Sequence, residues 1–296
     1  MAPRLAPEQI MRDLHWCRTS EPLVGQRPCA SPTSDEALIA RVEAIWRQRT
    51  SHRLGHYYEM LWQVLIESHQ STTLLACDFQ LNRQGKTLGA LDFLLWDSAS
   101  KRYTHLEVAI KFYLLAGSAS NPMDWIGPNA KDRLGRKLDH MRHAQSRLLA
   151  HADTRALLNQ DLITPPYPAL TQDNLDARIM MQGWLFTPAL NAQPHHHTHT
   201  GHWCRLSELA ALAAQLPEQL LWLPKFYWIA GAPETKFDAA GHAKGKIPET
   251  PVVIDKSSIA DWHRAHPRAH LYEYSTASGQ QRLFIVPDSW PELEGY

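Results

Sequence analysis

At 296 residues the chain is long enough to bury a sizeable core, in one large domain or two smaller ones. Its 44% hydrophobic and 20% charged residues place it among ordinary globular proteins and exclude a disordered one. Thirty basic and thirty acidic residues cancel, which excludes a general electrostatic pull toward nucleic acid; any such binding must come from a local patch.

The N-terminal stretch, residues 1–34, carries Pro3, Pro7, Pro22, Pro28 and Pro32, with a short helical segment around Gln9 to Trp16, and reads as an arm lying over the body. Its opening MAPRLAPEQI lacks the continuous apolar core of a signal peptide, and no later run approaches a membrane span. The expectation is a cytoplasmic protein without a membrane partner. A helix starts behind Ser34-Asp35-Glu36 and runs to about Gln48, with Leu38, Val42, Ile45 and Trp46 on one side. A second follows from about Arg53 to Ser68, its apolar arc made of Leu54, Tyr58, Leu61, Trp62, Leu65 and Ile66. Glu59 falls at the edge of that arc.

Leu74 to Leu81 reads as a first strand, and Asn82 to Lys86 as the turn out of it. The stretch Leu88 to Leu115 then predicts two strands around a tight turn, because β-branched and aromatic residues fill both arms and Asp97, Ser98, Ser100 and Lys101 separate them. Three strands joined by short turns make an antiparallel meander. In the second arm Leu106, Val108, Ile110, Phe112 and Leu114 share one face; His105, Glu107, Ala109, Lys111 and Tyr113 share the other. The first arm is apolar on both faces except for Asp92, the pattern of a central strand. An ionised carboxylate there costs several kcal/mol unless a cation or donor meets it. A divalent metal between Asp92 and Glu107 is the simplest compensation.

The composition loosens through Gly117 to Pro122 and leads by Trp125-Ile126-Gly127-Pro128-Asn129 into a helix predicted from Asn129 to about Ala150. Leu134, Leu138, Met141, Leu148 and Leu149 form its apolar stripe, and Gln145 sits within that stripe, where it needs hydrogen-bond partners. Lys131, Arg133, Arg136, Lys137, Arg142 and Arg147 crowd the same segment against Asp132 and Asp139, a local basic excess that suits either phosphate contact or a solvated helix face. Lys131, Arg133, Lys137 and Arg142 are the nucleic-acid-binding candidates. Ala177 to Phe186 follows as a strand reached by a helical crossover, hence parallel and right-handed.

Pro194 to His202 places five histidines, His195, His196, His197, His199 and His202, within eight residues. Such imidazoles hold zinc, nickel or copper, or they lie on an exposed connection, as the flanking proline and glycine suggest. Beyond it come a short helix at Leu206 to Gln215, a strand at Leu220 to Ile229, a linker from Gly231 to Pro251, and a β-rich ending of Val252 to Ile254, Leu271 to Ser275 and Arg282 to Val286 around a helix at Ser258 to Ala265. Cys17, Cys29, Cys77 and Cys204 form no CxxC pair, so neither a zinc ribbon nor a disulfide framework is suggested.

Gly89-x-x-Asp92, an apolar run, a turn, and Glu107-Val108-Ala109-Ile110-Lys111 together resemble the core of the PD-(D/E)XK nuclease superfamily. The chain is also similar to an uncharacterised bacterial family of unknown function usually placed there, which continues with Trp-x-Gly-Pro-Asn and His-Met-x-x-x-Gln, here Trp125 to Asn129 and His140 to Gln145. Two positions depart from the superfamily pattern. Leu91 stands where proline is expected, and Ala109 where lysine is expected, with Lys111 two residues on and on the same strand face.

The resemblance implies an α/β fold with a mixed central sheet flanked by helices, a restriction-endonuclease-like core at 35–216, the arm at 1–34 and a small C-terminal α+β extension at 217–296. It implies that Asp92 and Glu107, with the Val108 carbonyl, hold Mg²⁺ or Mn²⁺, and that Lys111 orients or polarises the attacking water; the alternative for the trio is a buried acid pair neutralised by lysine. Glu59 becomes an additional acid, its alternative being a border glutamate facing water. Gln145 becomes a site residue, its alternative a core glutamine bonded to backbone. The expected function is metal-dependent hydrolysis of a nucleic-acid phosphodiester, on DNA or RNA. A catalytically inactive nuclease-fold module binding nucleic acid or protein is the first alternative, and a transition-metal-binding protein using His195 to His202 is the second.

Overall fold

The computed structural model describes residues 5–28, 34–83, 85–190, 197, 199–233, 237 and 247–292. Helices α1 (Pro7–Thr19), α2 (Asp35–Gln48) and α3 (Leu54–Glu67) precede strands β1 (Thr72–Arg83), β2 (Lys86–Asp97), β3 (Arg102–Leu115) and the short β4 (Trp125–Ile126). Then come α4 (Leu134–His140), α5 (Ala152–Asp161), β5 (Leu175–Pro188), β6 (Thr200–Arg205), α6 (Leu209–Leu212), β7 (Gln219–Leu223), β8 (Val252–Asp255), α7 (Ile259–Ala265), β9 (His270–Thr276) and β10 (Gly279–Val286). The architecture is mixed α/β, a large mixed sheet flanked by helices. No helix among the described residues is long and apolar enough to cross a membrane.

Two compact units divide the chain, and they interleave along it: Met1–Ile110 with Lys137–Gln182, and Lys111–Arg136 with Gly183–Tyr296. In the first unit β1, β2 and β3 form the expected meander, antiparallel from Thr72↔Asp97 to Arg83↔Lys86 and from Asp97↔Arg102 to Phe93↔Leu106. β5 lies beside β3, where Arg102 forks onto Asp176 at 2.7 and 3.0 Å. Ala76, Leu91, Leu94, Trp96 and Tyr103 pack with Leu149 and Leu158. Each such fully buried aliphatic side chain contributes about 1.5–3 kcal/mol.

Helix α3 is buried at Tyr57, Tyr58, Met60, Leu61, Trp62, Val64, Leu65 and Ile66, apolar around most of its circumference as a core helix must be. Two polar ties fix it. Tyr57 Oη donates to Asp13 Oδ2 at 2.9 Å, which brings α1 onto α3. Gln182 Oε1 accepts from Tyr58 Oη at 2.7 Å and Trp62 Nε1 at 3.1 Å, while its amide donates to Ser20 Oγ at 2.6 Å. The N-terminal arm therefore folds into this unit through α1, with Ile10, Leu14 and Cys17 fully buried.

In the second unit β6 and β10 run parallel, and β10, β9, β7 and β8 follow in antiparallel order. The end of β5 pairs in parallel with β6, from Leu185↔Thr200 to Pro188↔Trp203. Gly183 is required here by close approach, since a Cβ at that position would stand 1.8 Å from the Lys111 carbonyl oxygen. Cys204, Leu212, Leu220, Trp222, Tyr272 and Ile285 lie in the core of this unit.

Four local expectations change. The helix read from Asn129 begins only at Leu134, because Asn129 Oδ1 accepts from the Lys131 and Asp132 amides and Ala130 takes a positive φ of 61°. That helix is also not uniform: after His140 it widens into a π turn at Met141–Gln145 and ends in a 3₁₀ turn at Leu148–Ala150. Strand β6 takes up Thr200 to His202, which the flanking proline and glycine place on an exposed connection. The predicted strand beyond Leu223 bends at Pro224 into a 3₁₀ turn at Lys225–Tyr227, consistent with the missing proline N–H.

Candidate functional site

Register sets the site. Beyond the Phe93↔Leu106 pair, side chains take over from the β2–β3 ladder. The Val108 N–H donates to Asp92 Oδ2 at 2.9 Å, and the Asp92 N–H approaches Glu107 Oε1 at 3.4 Å. Asp92 and Glu107 thus converge from neighbouring strands onto one spot. Glu107 is fully buried, and Asp92 is half-buried.

A buried carboxylate needs donors, and Glu107 has them on both oxygens. His105, also fully buried, places Nε2 at 2.7 Å from Oε1, and Gln145 donates Nε2 to Oε2 at 2.7 Å. His105 and Glu107 share a strand face by simple alternation, which explains their contact. Gln145 arrives because the π turn, which packs on β2, inserts an extra residue and re-aims the side chains at its end. Lys137, one helical stretch earlier, donates Nζ to Gln145 Oε1 at 2.9 Å. A continuous chain results, from His105 through Glu107 and Gln145 to Lys137.

The electrostatics follow from crowding. Burial, then the adjacent Glu107 charge, pushes the Asp92 carboxyl well above the usual carboxylate range, with Lys137 among the groups pulling it back down. Glu59 on α3 is raised to about 7 by burial and then by Asp78 and Glu107, opposed by Arg49 and Lys137. Three acids therefore act on one another, and Lys137 acts on two of them.

The other expected site residues have other partners. Lys111 belongs to the second unit, where its ammonium pairs with Asp132. The Trp125 to Asn129 loop prepares that pair: Gly127 N donates to Asp132 O at 2.8 Å, and Trp290 Nε1 donates to Gly127 O at 3.1 Å. Arg133 donates to the Met123 carbonyl at 2.8 Å and is half-buried. Lys131 and Arg142 are exposed. His195 and His196 lie outside the described residues; of the remaining imidazoles, His202 Nδ1 and His197 Nε2 are buried without a hydrogen-bond partner among the described residues.

Sequence reading gives His105 no role and gives Lys137 only that of a nucleic-acid-binding candidate. His105 was visible as the residue two before Glu107 on its own face, and that spacing was the available signal. Lys137 was visible as a basic residue, but its direction depends on the π turn, which no periodicity announces.

Among the described residues no three His, Cys, Asp or Glu side chains form a group able to hold an ion. Magnesium asks for less: one or two carboxylates with the rest of its octahedron in water. The donor set fits that demand. Asp92 Oδ1 and the Glu59 carboxylate make no hydrogen bond among the described residues, the Val108 carbonyl stands at the same strand position as the amide that meets Asp92, and the raised acids are those a divalent charge would relieve.

The chain belongs to the family described as domain of unknown function DUF1853, which it matches over residues 12–249. No curated protein and no solved structure matches it.

Proposed function

We propose that the protein is a metal-dependent nuclease-like hydrolase of nucleic-acid phosphodiesters, with a restriction-endonuclease-like core built around β1, β2, β3 and β5. The observation that carries this reading is the convergence of Asp92 and Glu107 from adjacent strands, one carboxylate fully buried and the other raised by burial and then by its neighbour. Asp92, Glu107 and the Val108 carbonyl would hold Mg²⁺ or Mn²⁺, with Glu59 at the edge of the set. The ion supplies charge neutralisation at the phosphate and a more acidic water.

The chain's own residues do the rest. His105 and Gln145 fix the Glu107 carboxylate in one rotamer, so its orientation is set before substrate arrives. Arg142, exposed and in the same unit as the acids, provides a phosphate contact. In the reaction a water oxygen adds to phosphorus and gives up a proton to solvent, a P–O ester bond breaks with its electron pair on the leaving sugar oxygen, and that oxygen takes up a proton from solvent. Lys111 was expected to orient the water; its pairing with Asp132 makes it a braced cation in its own unit.

A second reading, a nuclease-fold module that binds nucleic acid or protein without turnover, is favoured by one observation: Ala109 stands at the motif lysine position, and Lys111 is paired with a carboxylate. Labelled DNA and RNA, single- and double-stranded, incubated with and without Mn²⁺, separate the two. The nuclease reading expects Mn²⁺-dependent cleavage by the parent that Glu107→Gln abolishes. Binding without cleavage supports the second reading, and equal cleavage by both proteins points to a contaminant.

A further inference from the structure

We infer that Lys137 is a built-in counter-ion of the acid cluster, competing with a divalent ion for the charge of Asp92, Glu59 and Glu107; this rests on the metal-site reading above. The geometry is a tether. Lys137 Nζ is held at 2.9 Å by Gln145 Oε1, and Gln145 is held at 2.7 Å by Glu107 Oε2, so the ammonium is kept beside the carboxylates by the π turn that carries Gln145.

A second observation marks the cluster as more than a set of packed acids. His105, fully buried, spends Nε2 on Glu107 and leaves Nδ1 buried without a partner among the described residues. An orphaned buried ring nitrogen is destabilising, a loss that a purely structural core would shed by an apolar residue. It is retained where it orients the Glu107 carboxylate. Lys137 then adds positive charge beside the cluster, and its field falls on both Asp92 and, with Arg49, Glu59.

Two cations cannot both be bound at full strength by the same carboxylates. An incoming divalent ion therefore meets repulsion from Lys137, and the ammonium lowers metal affinity while keeping the metal-free cluster folded.

Calorimetric titration with Mn²⁺ alone, on the full chain, tests this. Lys137→Met should bind Mn²⁺ about tenfold more tightly than the parent, and Lys137→Arg, which keeps the charge, should stay close to it. Lys137→Gln, neutral but still able to donate to Gln145, should tighten binding like the methionine and serves if the methionine variant does not fold. A parent that binds Mn²⁺, with neutral variants no tighter, overturns the inference and leaves the metal-site reading standing. A parent that binds no Mn²⁺ overturns both.

Discussion

Asp92 and Glu107 exchange roles across two strands: the carboxylate of one accepts the amide beside the other, Val108 N to Asp92 Oδ2 at 2.9 Å, while the Asp92 amide leans on Glu107 Oε1 at 3.4 Å. The backbone groups that would close the ladder are thereby spent on two acids. A sheet gives up regular pairing and buries repelling charge at one point, a loss of stability of the kind found at functional sites.

That cost is measurable at Asp92. Its folded-state affinity for a proton is raised above the unfolded value of about 3.9, so the protein is favoured at low pH and loses stability as pH rises through the folded value. Asp92→Asn keeps an oxygen for Val108 N and removes the charge. Metal-free thermal melts should show the variant more stable than the parent by a few degrees near neutrality, with the gap closing toward about pH 4. A gap that is independent of pH would contradict this.

Glu107→Gln should act in the opposite sense. Both Glu107 oxygens accept N–H groups, from His105 and Gln145, and an amide there must turn a donor toward one of them. Urea unfolding should show a loss of about 1–3 kcal/mol. Unchanged stability would mean that His105 takes its other tautomer and accepts the new N–H.

How much of this was legible depends on the range over which each residue is positioned. The meander from β1 to β3 followed from alternation and turn chemistry, because Asp97 to Lys101 can do little but turn, and the same alternation put Glu107 and His105 on one face. Helix α3 followed from its apolar arc. Gln145 was legible as a polar residue needing partners, but which partner it has is decided by one inserted residue in a π turn. Lys111 was legible as a neighbour of Glu107 along the strand; its Asp132 partner comes from a loop fixed by Asn129, Gly127 and Trp290, which local periodicity does not encode. Helix α5 went unread because its first residues, Ala152 to Arg155, carry little apolar signal.

The second unit carries a charge pair of a different kind. Arg282 and Glu273 are both almost fully buried and meet at 2.8 Å, with Arg282 also donating to the Trp228 carbonyl at 2.7 Å and stacking 3.7 Å from the Trp184 ring centre. Glu273→Ala leaves a buried guanidinium uncompensated and should cost about 3–5 kcal/mol in chemical denaturation. Combining Glu273→Leu with Arg282→Met should recover much of that loss; a double variant as unstable as the single one would show that the charge is not the cause.

Acid should loosen the same unit. His263 and His270 are pushed down to about 4 and about 3, in each case by burial first and then by a neighbouring imidazole. Both are neutral in the folded protein while the unfolded chain takes up protons below about pH 6.5, so stability is fully present above that value and falls as pH drops toward the folded values. The expected slope is at most about 1.4 kcal/mol per pH unit for each histidine. Urea midpoints followed by tryptophan fluorescence should fall between pH 6.5 and 4, and His263→Phe should flatten the fall. A parallel fall in the variant would assign the acid sensitivity elsewhere.

The central claim is that Asp92 and Glu107 are gathered to hold a divalent ion, and calorimetric titration of the metal-free protein with Mn²⁺ tests it most directly. The parent should bind Mn²⁺ saturably and more strongly as pH rises, and Asp92→Ala should lose that binding in a protein that still folds. Equal binding by parent and Asp92→Ala, or none by either, would contradict it.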